Sequence, residues 1–341
     1  MTYLGIEIGG TKLQLGLNDG LGSPFAELVR HDINPDRGAN GILEQIDRAA
    51  HGLLAKHTIA RIGIAFGGPV DRAAGVTIKS HQIDGWENVP LVRWCQQSLG
   101  LDARLVNDCD AAALAEARFG AGKGKSSVFY VTVGTGVGGG FVVDGELFGQ
   151  QRPAVAEIGH LRPGLHDDRP DATVESLASG WGVVSVAQAR LSGQVSRSFE
   201  RVRYQNDRPT TLRRRLATAE KVDEAFAADL LERAGGSPED LTAKILAQAA
   251  AEGNNLAAEV MQHGIQALGW AIAQVVTLLA PEIIVVGGGV SLMGENCFFM
   301  PLREQVQRYV FPPLARSFDV VPAQLGEAVV VHGATAVAAC P

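Results

Sequence analysis

Short apolar blocks ending in glycine dominate the start of the chain. Residues 3–19 read as a hairpin, with apolar strands either side of Gly9-Gly10-Thr11 and Asp19-Gly20 closing it. A strand is predicted near Phe25 to Arg30, and a 3.6-residue apolar period predicts a helix over Gly41 to Lys56. Arg61 to Phe66 reads as a buried strand running into Gly67-Gly68-Pro69. A long loop holding Trp86 leads to a helix at Leu91 to Leu99. The short strand Ala103 to Val106 then ends at Asn107-Asp108, before a helix at Ala111 to Phe119. The polar segment Gly120 to Lys125 interrupts the pattern, which restarts as a second hairpin from Val133 to Gly145. Gly9 to Asp19 and Gly134 to Asp144 have the same spacing, so the core reads as duplicated. Beyond it the pattern is mainly helical, apart from Ile283 to Val286, a buried strand entering Gly287-Gly288-Gly289.

These elements predict two α/β domains. Residues 1–119, completed by a C-terminal helix at 328–341, form the smaller, and residues 120–327 the larger. At 341 residues two cores are the natural division. A charged stretch near 195–236, with seven arginines from Arg197 to Arg215, reads as a solvated insertion in the larger domain.

The net charge of -7 argues against nucleic acid or an anionic membrane as the main partner. The longest apolar run, Gly264 to Ala280, is broken by Gln266 and Gln274 and predicts a buried helix. The first residues are already a strand, so no secretory leader is expected. Cys95, Cys109, Cys297 and Cys340 form no C-x-x-C pair, which suits free thiols in a reducing cytoplasm.

Glycines at a strand-to-strand turn let backbone N–H groups point into an anion-binding concavity. Gly9, Gly10, Thr11 and Lys12 form one such candidate phosphate loop, and Gly134, Thr135, Gly136 and Gly138 the other. Neither is a Walker loop or a dinucleotide fingerprint, because a strand and not a helix follows. Two such turns gripping one polyphosphate suggest an actin-like ATPase (ribonuclease-H-like) fold with a cleft between its two domains. Gly288 ends a strand where backbone can pass close to a nucleoside.

Asn107-Asp108 lies at a strand end and just before a helix, where ligands of α/β sheets usually sit. An aspartate there can accept a proton from a hydroxyl; Asp108 or Asp110 can equally serve as a helix N-cap. Glu157 and His160, with Glu175 further on, suit hydrogen bonding to adjacent sugar hydroxyls or, read singly, a solvated surface.

Together the segments resemble the ROK family (repressor, open reading frame, kinase), which contains bacterial glucokinases and N-acetylmannosamine kinases. The matching pieces are G-I-E-I-G-G-T-K at Gly5, G-G-P-V-D at Gly67, D-G-W at Asp84 and V-N-D-C-D-A-A-A-L-A-E at Val106. V-G-T-G-V-G-G-G at Val133, A-E-I-G-H at Ala156, L-A-S-G at Leu177 and V-V-G-G-G-V-S at Val285 follow in the family's order. The resemblance implies an ATP-dependent hexose kinase, glucokinase-like, acting at the 6-hydroxyl with Mg²⁺. Asp108 would be the catalytic base. Gly68, Asn107, Glu157, His160 and Glu175 would hold the sugar. Glu7, Gly9, Gly10, Thr11 and Lys12, with the Gly134–Gly138 loop, would hold the ATP phosphates, and Gly288 would lie near the adenosine. A homodimer is expected on the same ground. The alternatives are a kinase-like binding protein without turnover and a sugar-responsive regulator, whose helix-turn-helix has no room before Tyr3. Polyphosphate, received by the arginine-rich insertion, is an alternative donor.

Three departures qualify the likeness. The family usually has aspartate at the position of Glu7. Its P-G-P turn is Gly67-Gly68-Pro69 here, and Gln82 replaces an asparagine ahead of D-G-W. The three cysteines that join a histidine on the family's structural zinc are absent from the stretch between His160 and Glu175. No structural zinc is expected, since thiolates make that closed site; His166, Asp167 and Asp168 read as an exposed polar loop. The segment carrying Glu175 would then be held by packing alone.

Overall fold

Two five-stranded sheets carry the duplicated pattern. The structure is a computed structural model describing residues 1–80, 82–152, 154–164, 171–192 and 223–340. In the first sheet, β1 (Tyr3–Ile8) and β2 (Lys12–Asn18) form the antiparallel hairpin, and β3 (Glu27–Asp32) pairs with β2 at the edge. On the other side of β1 lie β4 (Arg61–Phe66) and β7 (Ala103–Asn107), both parallel to it. A separate ribbon, β5 (Val70–Asp71) with β6 (Val76–Thr77), follows the glycine-proline turn.

The second sheet repeats this plan. Its hairpin is β8 (Ser127–Val133) with β9 (Val137–Val143), and β10 (Glu146–Leu147) is the edge. Parallel to β8 run β11 (Ile283–Gly287) and then β12 (Asp319–Pro322). The orders β3-β2-β1-β4-β7 and β10-β9-β8-β11-β12 therefore match strand for strand. Sequence reading missed β12, because four residues ending in proline lack a strand's usual length. Pairing with the fully buried β11 draws it into the sheet.

Central strands are apolar on both faces, as parallel sheets covered by helices require. Outside the first sheet pack α1 (Gly38–Leu54), through Ile42, Ile46, Ala50 and Leu53, and α2 (Leu91–Leu99). The long helix Asn255–Leu279 contains the predicted apolar run and anchors the second sheet's outer core. Between the sheets lie α3 (Asp108–Phe119) and the C-terminal helix Val329–Ala339, packed on one another. Their approach is close: a Cβ at Gly63 would meet the Ala334 carbonyl, and one at Gly333 the backbone of Ala111. Among the described residues no helix is long and apolar enough to cross a membrane. Of the charged insertion, residues 193–222 lie outside the described residues; beyond them a helix runs from Glu224 to Arg233.

Candidate active site at the start of the central helix

Helix α3 begins three residues earlier than its periodicity suggests, because its cap is Asn107 and not Asp108 or Asp110. The Asn107 Oδ1 accepts from the amides of Cys109 at 2.8 Å and Asp110 at 3.3 Å, and its backbone is extended. The other end of the same side chain donates to the Gly68 carbonyl at 3.0 Å. Asn107 thus ties the glycine-proline turn to the helix start. Asp108 becomes the first helical residue, with Oδ1 accepting from the Cys109 amide at 2.8 Å. Its Oδ2 lies 3.5 Å from where a Gly67 side chain would begin. Burial raises its proton affinity above the ordinary aspartate range, and the Cys109 amide partly offsets this.

Both sheets reach this spot. A Cβ at Gly138, in the second hairpin, would run into the Cys109 sulfur, so the bare glycine lets β9 lie against the first turn of α3. Gly67, from the first sheet, lies at hydrogen-bonding distance of the end of β1, its amide donating to the Ile8 carbonyl at 2.9 Å.

Glu7 is buried at the end of β1, with Lys12 Nζ 3.2 Å from Oε1 and the Gln14 amide donating to Oε2 at 3.0 Å. Lys12 also donates to the Glu327 carbonyl at 3.2 Å. The cation proposed for phosphate therefore also holds a carboxylate and the start of the C-terminal segment. Burial pushes the Glu7 carboxyl up to about 7, Lys12 works against that, and the Asp108 charge adds to it. Thr11 is exposed at the turn, and the Gln82 side chain lies where a Cβ on Gly10 would project. The longer glutamine thus covers the first glycine turn.

The second turn is organised from behind. Glu175 Oε2 accepts from the Val137 amide at 2.9 Å. A Cβ on Gly136 would sit 2.6 Å from the same oxygen. The segment around Glu175 is not held by packing alone, as the missing cysteines suggested. Its short helix α4 (Val174–Ala178) opens with a reciprocal Thr173–Ser176 capping box, and the Val174 amide donates to the Leu161 carbonyl at 2.9 Å. Helix α5 (Gly180–Leu191) follows, with the Gly180 amide bonded to the Gly134 carbonyl at 2.8 Å. Hydrogen bonds here perform the stapling the resemblance assigned to a metal. Thr135 is exposed at the tip of this turn. Gly288 has φ 90°, a conformation suited to glycine, and a Cβ there would lie 2.5 Å from the Val133 carbonyl.

Glu157 and His160 share one 3₁₀ turn, both exposed, introduced by Ala156 at a left-handed φ of 59°. Glu157 is near enough to raise the proton affinity of Asp110 and Cys109. Asp110 is pushed up to about 7 by burial, with Arg72 opposing and Glu157 and Asp108 reinforcing. Four carboxylates, Glu7, Asp108, Asp110 and Glu157, thus interact around one helix start. Sequence reading gave Asp110 only a capping role and did not single out Arg72, which carries no local motif. Among the described residues no group of three His, Cys, Asp or Glu side chains is arranged to hold a metal ion; His166, Asp167 and Asp168 lie outside them.

The paired hairpin sheets with two helices crossing between them define a member of the actin-like ATPase class. The ROK family model matches residues 3–340, and the chain belongs to that family. It is 29% identical to a glucokinase of Thermotoga maritima over 337 residues, 99% of this chain and 97% of that one. It superposes with a TM-score of 0.77 on a ROK family glucokinase from Streptomyces griseus solved with glucose and AMPPNP, at 29% identity and 99% coverage of both chains. A ROK hexokinase from Thermus thermophilus gives a TM-score of 0.74 at 26% identity, covering 99% of this chain and 98% of that chain.

Proposed function

We propose that the protein is an ATP-dependent sugar kinase that phosphorylates a hexose, glucose foremost, at its 6-hydroxyl. One observation carries the reading: the Asp108 carboxylate stands at a helix start against which glycines of both sheets, Gly67 and Gly138, are packed. Asp108 takes the proton of the hydroxyl as its oxygen bonds to the γ-phosphorus and the bond to the β-phosphate oxygen breaks, releasing ADP. Gly68, Asn107, Glu157, His160 and Glu175 line the sugar side. Glu7, Gly9, Gly10, Thr11 and Lys12 serve the phosphates from the first turn, and Gly134, Thr135, Gly136 and Gly138 from the second, with Gly288 beside the nucleoside. Mg²⁺ brought with the nucleotide would offset the charge of its phosphates, with Glu7 the carboxylate on the first-turn side. Residues 1–119 with 328–341 act as one domain and 120–327 as the other, closing over the sugar to exclude water.

The glucose and AMPPNP bound by the Streptomyces griseus relative support this assignment of sugar and nucleotide. A coupled ADP-release assay across a hexose panel tests it, with sugar-phosphate formation followed instead where polyphosphate replaces ATP as donor. ATP turnover with glucose that vanishes in Asp108→Asn is the expected result; near-normal turnover in that variant would end the assignment.

A further inference from the structure

The chain passes between the sheets twice. It leaves α3 through residues 120–126 to reach β8, and it returns from β12 through 323–328 to the C-terminal helix. Glu116, in the last turn of α3, is fully buried and touches both passages. Its Oε2 accepts from the Ala121 amide at 2.8 Å on the outward passage. Its Oε1 accepts from the amides of Gln324 and Leu325, each at 2.9 Å, on the return. A Cβ on Gly120 would collide with Oε2, so the bare glycine is what lets the carboxylate reach the chain there.

We propose that Glu116 is the pin of the hinge, a positioning residue that fastens both passages to the end of the helix whose start carries Asp108. Two connections tied at one carboxylate leave the sheets free to rotate about that point and resist twist or shear between them. Closure then returns the second glycine turn to the same place over Asp108 in every cycle. Released from the pin, each passage bends by itself, and the reacting groups meet in a wider spread of geometries. The kinetic side of this inference rests on the kinase reading; the mechanical side does not.

Glu116→Gln is the decisive variant. One amide oxygen can still serve Gln324 and Leu325, while the NH₂ faces the Ala121 N–H and breaks the outward tie alone. Hydrogen exchange of the ligand-free protein should speed at Ala121 by at least ~10-fold, as for any amide whose local opening becomes easier, and stay slow at Gln324 and Leu325. With glucose and ATP, kcat should fall about tenfold and the KM for glucose rise with it, as hinge changes do, at a little-changed Tm. Gly120→Ala, which pushes the whole carboxylate away, should speed exchange at Ala121, Gln324 and Leu325 together and lower kcat likewise, if Glu116→Gln fails to accumulate. Unchanged protection at Ala121, or a lowered Tm with wild-type kcat and KM below the unfolding range, overturns the proposal. Wild-type protein that phosphorylates no hexose overturns the kinase reading instead, and exchange at Ala121 then decides the pin by itself.

Discussion

Glu175 closes the second glycine turn by accepting the Val137 amide at 2.9 Å, which ties a residue proposed for the sugar to the turn proposed for phosphate. Loss of that bond should therefore weaken both ligands. Glu175→Ala is expected to raise the KM for ATP and for glucose by about ten- to a hundredfold each, the range of one charge-assisted hydrogen bond. His160→Ala, which removes an exposed side chain and leaves the Val137 bond to Glu175 in place, should raise the KM for glucose alone. Gly136→Ala should behave like Glu175→Ala, because its Cβ would displace the carboxylate oxygen. Steady-state kinetics with each substrate varied in turn check this; a Glu175→Ala defect confined to sugar would make the Val137 bond incidental.

Asp108→Asn should lower kcat by ~10²–10⁴-fold, the usual contribution of a positioned general base. Folding should survive, since the substitution removes a charge that burial disfavours and keeps the shape. The pH profile follows from the same burial. A base must be deprotonated to act, and Asp108 holds its proton above the ordinary value of 3.8. The acid limb of kcat/KM should accordingly lie above the usual aspartate range. A profile that stays flat down to pH ~4 would exclude Asp108 as the group that titrates.

The fold was legible from the chain because two features repeat at fixed spacing, the glycine turns after β1 and β8 and the aspartate-glycine pairs that follow. Arg61–Phe66 and Leu91–Leu99 match their predicted bounds, since a continuous apolar run and a clear 3.6 period leave little choice. The edge strand β3 falls two residues later than expected, where alternation is weak and pairing with β2 decides. The candidate site was legible only where a residue sits in a motif. Asp108, Glu157 and Glu175 could be named, but Glu116 and Arg72 act through partners distant in sequence. That Asn107, and not a neighbouring aspartate, caps α3 depends on the extended backbone at its position, which composition does not encode. The tie between Glu175 and Val137 spans 38 residues and has no local signature.

The contribution of Glu7 to stability should fall as pH rises from about 4.5 to about 7, against an opposite contribution from His263, which burial lowers from 6.5 to about 4. Glu7 has an ordinary value of 4.5 and is raised to about 7 in the folded chain, so over that interval this group binds more protons in the native state than in the unfolded one. This contribution is greatest below the unfolded value and declines as Glu7 ionises, levelling off above its folded value; Asp110, raised from 3.8 to about 7, acts in the same sense. The loss from Glu7 is of the order of 3 kcal/mol, from ~1.4 kcal/mol per pKa unit, with the opposing Lys12 charge already contained in the raised value. Glu7→Gln and Asp110→Asn should each shift the slope of unfolding free energy against pH upward relative to wild type, measured in urea between pH 5 and 8. A slope that is the same in wild type and in both variants would contradict the assigned direction.

Two glycine-to-alanine changes should move stability in opposite directions. Gly52 lies in α1 with nothing within 4 Å of its would-be Cβ, so alanine adds helix propensity at no steric cost. Gly52→Ala is expected to stabilise by about 0.5–1 kcal/mol. Gly63 lies mid-strand in β4, directly beneath the C-terminal helix, where a Cβ would overlap the Ala334 carbonyl. Neither backbone can retreat easily: β4 is held on both sides by β1 and β7, and the helix is wedged against α3. Gly63→Ala should therefore cost about 1–3 kcal/mol, as overpacking does. Because that helix begins just after the passage fastened to Glu116, Gly63→Ala should also speed amide exchange at Gln324 and Leu325, whereas Gly52→Ala should leave both untouched. Equal effects of the two substitutions on Tm would mean that the helix seat yields, and that close packing against β4 is not what fixes the C-terminal helix.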